Sequence, residues 1–446
     1  MSTNRPPTAS PPSPGRALAL RVVRRVTDGA YTDRAFAGEA SRARIDTRDR
    51  AFAQHLAYGT VQRRRTLDKL LDETLDRPGD VEPGLRDVLR LGAYELAFTD
   101  GAPARAVVDE AVRQARALPG DARRRNARAG VANAVLRRLS DDAWSRVRNL
   151  DDSTAELAAI AHSVPDWISE ALFAALGAED ARGVLAACNQ PAESAIRWNP
   201  LRGPRATLEQ ELPAGWTRDP DLDEAYVLSG AWALEDSGAW AHGRAMGQSR
   251  ASLLPALALN PQPRERILDL CAAPGAKATH IAALARNGAE ITAVELHPAR
   301  ARALEALATR MGAQIRVIEG DAREVALDGA FDAVLVDAPC TGLGVLSARP
   351  DSRWRRREES VAPLVELQRA ILNRALSVVR PGGRVVYSTC TLTLAENEEM
   401  VAATGAPLID LSERFASFAH PTLPGALRSL PHRTGSDGFF VASLQG

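Results

Sequence analysis

Cysteine is scarce in this chain: Cys188, Cys271, Cys340 and Cys390 are the only 4 among 446 residues. They show no paired metal-ligand spacing and are too few for a disulfide framework, which excludes a stapled secreted fold and points to thiols in a reducing compartment. Long apolar runs are also missing. No stretch approaches the ~20 residues that span a bilayer, because arginines and acids interrupt every candidate, so no membrane association is expected. Residues 1–15 are rich in Pro, Ser and Thr and lack the basic-then-apolar order of a secretory signal, so they read as a disordered tail and the chain as cytoplasmic. Lysine is nearly absent: Lys69 and Lys277 stand alone among 56 Lys plus Arg, and the positive charge is otherwise arginine.

What is present is the composition of a globular protein, with 45% hydrophobic and 25% charged residues. The length suggests two or three domains, and nothing in it requires an oligomer. Formal net charge is zero, yet residues 1–140 carry 26 Lys plus Arg against 17 Asp plus Glu. That asymmetry permits a polyanion to bind at one end, and the runs Arg63-Arg64-Arg65 and Arg123-Arg124-Arg125 are candidate phosphate contacts; solvated helix faces are the alternative reading.

Residues 16–140 are helical in pattern throughout, with apolar positions every three or four residues in 17–26, 51–58, 67–75, 85–98 and 106–117. Residues 141–245 mix helical segments (164–176 and 178–188) with short extended pieces such as 195–198 and several prolines, which predicts a small connecting domain. From 246 to 446 short apolar runs alternate with helical ones. Strand candidates are 266–270, 290–294, 314–318, 331–336 and 383–388; helix candidates are 278–287, 298–311 and 365–379. This alternation predicts βαβ units and a mainly parallel sheet.

The turn Cys271-Ala272-Ala273-Pro274-Gly275-Ala276-Lys277 follows the first of these strands and precedes a helix. Its small residues let a ligand approach the backbone, and ligands of open α/β sheets bind at such strand ends. It is neither the P-loop nor the three-glycine dinucleotide fingerprint. The second strand ends at Glu295, where a carboxylate can accept from two ribose hydroxyls, and Asp321 follows the third strand, where it can meet an adenine edge. Each acid alone is an ordinary turn residue. Together, after successive strands, they outline a nucleoside site.

Asp337-Ala338-Pro339-Cys340 and Ser388-Thr389-Cys390 follow two further strands, so both thiols fall on the cofactor side of the sheet. A lone cysteine is most simply a small buried hydrophobe. Two at adjacent strand ends suit a reaction at carbon 5 of cytosine, a weak nucleophile that thiolate addition at carbon 6 converts to an enamine. Such a site must favour thiolate, for example by a nearby Lys or Arg. Asp337 could donate to the ring nitrogen as negative charge develops, if its carboxyl is protonated or bridges through a proton. The residues alone do not decide which cysteine attacks.

Residues from about 243 onward resemble the Nol/Nop/Sun RNA cytosine-5 methyltransferases. The matches are Asp269-Leu270-Cys271-Ala272-Ala273-Pro274-Gly275, Asp337-Ala338-Pro339-Cys340-Thr341-Gly342, Arg349-Pro350-Asp351 with Trp354, Tyr387-Ser388-Thr389-Cys390, Glu396-Asn397-Glu398 and Asp437-Gly438-Phe439-Phe440. The resemblance implies a Rossmann-like fold using S-adenosylmethionine, with Cys390 as nucleophile and Cys340 assisting release. It also implies that residues 271 to 277, Glu295, Asp321 and Asp337 contact the methyl donor. Residues 16–140, with Tyr58-Gly59, Leu89-Arg90-Leu91-Gly92 and Val131-Ala132-Asn133-Ala134, resemble the NusB-type helical RNA-binding domain. The middle stretch, with Arg197-Trp198-Asn199, is similar to the small RNA-contacting region that precedes the catalytic domain. This combination implies a bacterial enzyme acting on small-subunit ribosomal RNA.

The chain departs from the family pattern at Ala276, where a second Gly is usual and φ must then be negative. It departs again at Ser249, where Asp is usual, and at Leu394, where Pro is common. The competing readings are a non-catalytic RNA-binding or ribosome-assembly factor and a methyltransferase for protein or small molecules. The first predicts degenerate catalytic residues, and the second has no need of paired thiols.

Overall fold

The computed structural model describes residues 11–230 and 232–446; Met1 to Ser10, most of the expected tail, lie outside the described residues. Helix begins already at Pro14, with proline in the first turn where its missing N–H costs nothing. The chain divides into two compact units. One runs through Phe173 and includes the excursion Leu346–Arg355; the other comprises Ala174–Val345 and Arg356–Gly446. The boundary therefore falls inside the stretch 141–245, read from the sequence as one connecting domain.

The first unit is helical. Pro14–Thr27, Thr47–Gln62, Pro83–Phe98 and Ala104–Ala117 each contain a helical segment read from periodicity, Arg64–Thr74 covers 67–75 but for its last residue, and Ala122–Leu139 is a further long helix. Asp46 and Asp121 cap two of them through backbone N–H groups of Asp49 and Arg124. Leu18, Leu56, Leu67, Leu89, Leu91 and Leu136 fill the core. Gly92 is required for packing, since a Cβ there would lie 2.6 Å from Leu136. The excursion is bound into this unit: the Arg353 guanidinium donates to Gln62 O and Ser163 O, and Trp354 Nε1 donates to Val61 O at 2.7 Å. Residues Asp166–Ala187 are helical with a break at Gly177, whose φ of 77° separates the two predicted segments.

The second unit opens with a small antiparallel sheet of β1 (Ala195–Trp198), β2 (Thr217–Arg218), β3 (Ala225–Val227) and β4 (Ala245–Gly247), in the order β2-β3-β1-β4. The large sheet comprises β5 (Arg266–Asp269), β6 (Glu290–Glu295), β7 (Arg316–Glu319), β8 (Phe331–Asp337), β9 (Val379–Thr389), β10 (Leu408–Ile409), β11 (Leu427–Ser429) and β12 (Phe439–Gln445). Its order is β10-β12-β9-β8-β5-β6-β7, with β11 beside β12. Strands β5 to β9 pair in parallel, whereas β12 runs antiparallel to β9. Helices Ala276–Leu284, Pro298–Met311 and Val361–Val378 make the crossovers. Chain order reverses where β5 lies between β6 and β8, the switch point at which open α/β sheets bind ligands. Among the described residues no helix is long and apolar enough to cross a membrane.

Candidate active site

β8 is a run of buried Val and Leu ending at Asp337, and β9 is buried through Val385-Val386-Tyr387. Their parallel register places Asp337 opposite Ser388. The two chains leave the sheet side by side, and the Sγ atoms of Cys340 and Cys390 come within 3.3 Å of each other. Cys340 is buried; Cys390 is partly exposed. The hydrogen bond between them, then burial, then the charges of Cys390, Glu396 and Asp337 push the Cys340 thiol well above the ordinary cysteine range. A raised Cys340 thiol next to a second sulfur is suited to donate a hydrogen bond to it.

Lys277, from the first turn of the helix after β5, donates to Asp337 Oδ2 at 2.6 Å, and Ser388 Oγ donates to Asp337 Oδ1 at 2.9 Å. Burial alone would lower the Lys277 ammonium, but the attraction and hydrogen bond of Asp337, with Cys390 and Asp269 adding, raise its pKa above the ordinary lysine value. Both Asp337 oxygens accept hydrogen bonds, and the bond from Lys277 places an ammonium proton between the two side chains. Lys277 also supplies the positive charge that a thiolate at Cys390 calls for.

The loop before that helix is shaped by Gly275, at φ 111°. A Cβ at Gly275 would meet Leu304 Cδ1 at 2.5 Å, so this close approach admits only glycine. Ala276 begins the helix in ordinary geometry, which accommodates the departure from a second glycine. Cys271 donates its backbone N–H to Asp269 Oδ1; its thiol is pushed well above the usual range by burial and by Asp269, Asp337 and Glu295, so it is unsuited to attack. Gln248, beside the departure at Ser249, accepts from Arg197 Nε at 2.9 Å and donates to Ser252 O.

Glu295 is buried at the end of β6, with Oε1 accepting from the His297 N–H at 2.9 Å and Oε2 lying 3.5 Å from Arg300. Asp321, just past β7, is bound to its neighbour Arg323 through the backbone N–H, Nε and Nη2, and these hydrogen bonds hold its carboxyl down at about 2. An adenine contact from Asp321 therefore requires Arg323 to share it.

Sequence reasoning missed Asp269. Its side chain is fully buried at the end of β5, burial and then Asp337 push its carboxyl up to about 7, and Oδ2 has no hydrogen-bond partner. A buried acceptor left open beside the loop calls for a ligand donor, which the ammonium of S-adenosylmethionine would provide. The residues present thus fit that cofactor. The position was visible as the last residue of the first strand; its vacancy was not.

Arg349-Pro350-Asp351 and Trp354, quoted as family matches, fall in the helical unit, where Asp351 accepts from Arg355 Nε at 2.6 Å. The run Arg63-Arg64-Arg65 is a correction to the phosphate-contact expectation. Arg63 lies over the Phe98 ring and is lowered to about 10 by burial; Arg64 lies over Trp354; Arg65 donates to Val164 O and pairs with Asp166. Arg123, Arg124 and Arg125 are exposed, as a phosphate contact requires.

A parallel sheet with a glycine-shaped loop at its switch point, acids at successive strand ends and a pair of adjacent thiols defines a Rossmann-like methyltransferase. Residues 256–445 match the family model described as 16S rRNA methyltransferase RsmB/F, and residues 13–141 match the NusB family. A probable ribosomal RNA small subunit methyltransferase B of Synechocystis is 34% identical over 96% of this chain and 99% of its own length. This chain belongs to the RsmB/F family. The crystal structure of PH0851 is similar across 98% of this chain and 99% of its own, with 25% identity and a TM-score of 0.79. That of NSun6 from Pyrococcus horikoshii with SFG covers 63% of this chain and 98% of its own at 24% identity and a TM-score of 0.57, a likeness of fold.

Proposed function

We propose that this protein transfers a methyl group from S-adenosylmethionine to carbon 5 of a cytosine in small-subunit ribosomal RNA, through a covalent adduct of Cys390 at carbon 6. The observation that carries this reading is the 3.3 Å approach of Cys340 and Cys390 beside the Lys277–Asp337 pair. A methyltransferase acting on oxygen or nitrogen has no use for two thiols in contact. The names of its relatives support the ribosomal substrate, and SFG in the NSun6 structure supports the donor.

S-adenosylmethionine, when bound, supplies an electrophilic methyl on a sulfonium. Cys271 to Lys277, Glu295, Asp321 and Asp337, with Asp269, would hold it. The Cys390 thiolate forms a bond to carbon 6, and the electron pair of the 5,6 double bond moves toward the ring nitrogen, where Lys277 held by Asp337 offers positive charge. Carbon 5 takes the methyl and then loses its proton to a base. The electrons of that carbon–hydrogen bond restore the double bond as Cys390 departs, and the Cys340 thiol stabilises the departing sulfur by the hydrogen bond it makes in the resting site. The cytosine must be unstacked for a thiol to reach carbon 6. The exposed arginines of the NusB-like region, Arg123 to Arg125, would contact RNA phosphates.

The test is incubation of the purified protein with small-subunit ribosomal RNA and isotopically labelled S-adenosylmethionine, followed by nucleoside mass spectrometry. Labelled 5-methylcytidine is the expected product. Label on any other nucleoside alone overturns the proposal.

A further inference from the structure

The segment Glu396-Asn397 lies outside both cysteine loops, and the thiol chemistry gives it no role. Its hydrogen bonds say otherwise. Glu396 is fully buried, and two of the four hydrogen bonds it accepts come from Thr341, the residue after Cys340. Oε1 accepts from the Thr341 N–H at 2.8 Å and from Gln368 Nε2 at 3.0 Å; Oε2 accepts from Thr341 Oγ1 at 2.6 Å and Thr393 Oγ1 at 2.8 Å. Gln368 in turn donates to Pro339 O, the residue before Cys340. Asn397 does the same for the other thiol: Oδ1 accepts from Thr389 Oγ1 and Nδ2 donates to Thr391 O at 3.0 Å, so both neighbours of Cys390 are held. The hydroxyls of Thr341 and Thr391 meet at 2.7 Å and close the frame.

We propose that Glu396 and Asn397 are positioning residues: two adjacent side chains, one gripping each cysteine loop, set the spacing and mutual orientation of the Cys340 and Cys390 sulfurs. A buried carboxylate is costly unless every lone pair is met, and this one is met only while the Cys340 loop stays in place. The strand ends alone do not fix the sulfurs, since each cysteine lies beyond the last sheet-bonded residue. Direction of bonding decides which substitutions are tolerated. Glutamine at 396 can keep its carbonyl toward the two N–H donors and turn its NH2 toward Thr341 Oγ1 and Thr393 Oγ1, with Thr341 then donating to Thr391. Alanine removes the acceptor of all four bonds, and the Thr341 N–H and Thr393 hydroxyl have no other acceptor among the described residues.

This inference rests on the proposed reaction, so its test includes a measurement that needs no RNA. In full-length protein, the pH dependence of Cys390 alkylation by iodoacetamide, resolved by peptide mass spectrometry, reports whether Cys340 still donates to it. Glu396→Ala and Asn397→Ala should shift that profile upward by about one pH unit, because the thiolate loses its hydrogen bond. They should also lower kcat by about 10²-fold, with donor affinity and RNA KM little changed, as a misplacement near 1 Å does. Glu396→Gln should restore both profile and rate. Unshifted alkylation in the two alanine variants overturns the clamp without touching the proposed reaction. A Glu396→Gln variant as impaired as Glu396→Ala also overturns it, because charge rather than bonding geometry would then be the cause. Should Glu396→Ala fail to fold, Asn397→Ala and Glu396→Gln carry the same comparison.

Discussion

The Sγ atoms of Cys340 and Cys390 stand 3.3 Å apart, and the two residues are unequal in exposure: Cys340 is buried and Cys390 is partly exposed. Only the sulfur that gives up its proton and can be reached by a base is fit to attack, and only the one that keeps its proton can assist a departing sulfur. On that difference in exposure the proposed reaction gives attack to Cys390 and assistance to Cys340.

Cys390→Ala should abolish methyl transfer while RNA and donor still bind. Cys340→Ala should still attack and methylate but release the product slowly, leaving protein attached to methylated RNA. Denaturing gel electrophoresis with labelled RNA and S-adenosylmethionine should show a retarded complex for Cys340→Ala and none for Cys390→Ala. The opposite pattern would exchange the roles, and full turnover by both would end the thiol mechanism.

Glu295→Ala should weaken S-adenosylmethionine binding by about 1–3 kcal/mol, the worth of charge-assisted hydrogen bonds in a buried setting. Glu295 is buried with Oε2 only 3.5 Å from Arg300, so that oxygen retains acceptor capacity for ribose hydroxyls. Calorimetric titration measures this directly, and unchanged affinity removes Glu295 from the donor site.

Asp269 gives a pH-dependent expectation. Its folded pKa of about 7 lies above the unfolded carboxylate value, so its contribution is fully present below the unfolded pKa and is lost as pH rises from about 4 through about 7. Asp269→Asn should therefore raise the melting temperature of the donor-free protein at pH 8, by up to roughly 4 kcal/mol of stability, and bring little gain at pH 4. The same substitution should weaken donor binding. A stabilisation equal at both pH values would show that Asp269 is ionised in the fold at ordinary cost.

Strands and helices of the methyltransferase unit were legible because short apolar runs bounded by Gly, Asp or Pro report burial locally: 298–311 was read from periodicity and is the helix Pro298–Met311. The antiparallel β12 was read only as the motif Asp437-Gly438-Phe439-Phe440, since its pairing with β9 joins residues far apart in the chain. The site residues proposed from the sequence are those whose position follows from a strand end. Asp269 and the Glu396-Asn397 pair escaped because their roles consist of what surrounds them: an oxygen without a partner, and four donors arriving from three separate segments. Arginine misleads for the same reason. A run of three looks alike whether it meets solvent or packs on Phe98 and Trp354.

That difference between two arginine runs yields the last expectation. Arg123, Arg124 and Arg125 stand exposed on the first turn of helix Ala122–Leu139, a turn that holds no acidic residue. Arg63 and Arg65 spend their guanidinium donors on Ala161 O, Val164 O and Asp166. Each phosphate contact contributes about 0.9 to the slope of log affinity against log salt on a duplex and somewhat less on a single strand. Replacing Arg123, Arg124 and Arg125 together by Gln should therefore weaken RNA binding at low salt and flatten its salt dependence, with no fall in melting temperature. Arg63→Gln should lower the melting temperature and leave the salt slope unchanged, because it removes a buried stack and hydrogen bond rather than a phosphate contact. Filter binding across a salt series, with thermal melts of the same preparations, reads both effects. An unchanged slope in the triple variant would return those arginines to a solvated surface, and a flattened slope in Arg63→Gln would restore the first run as an RNA contact.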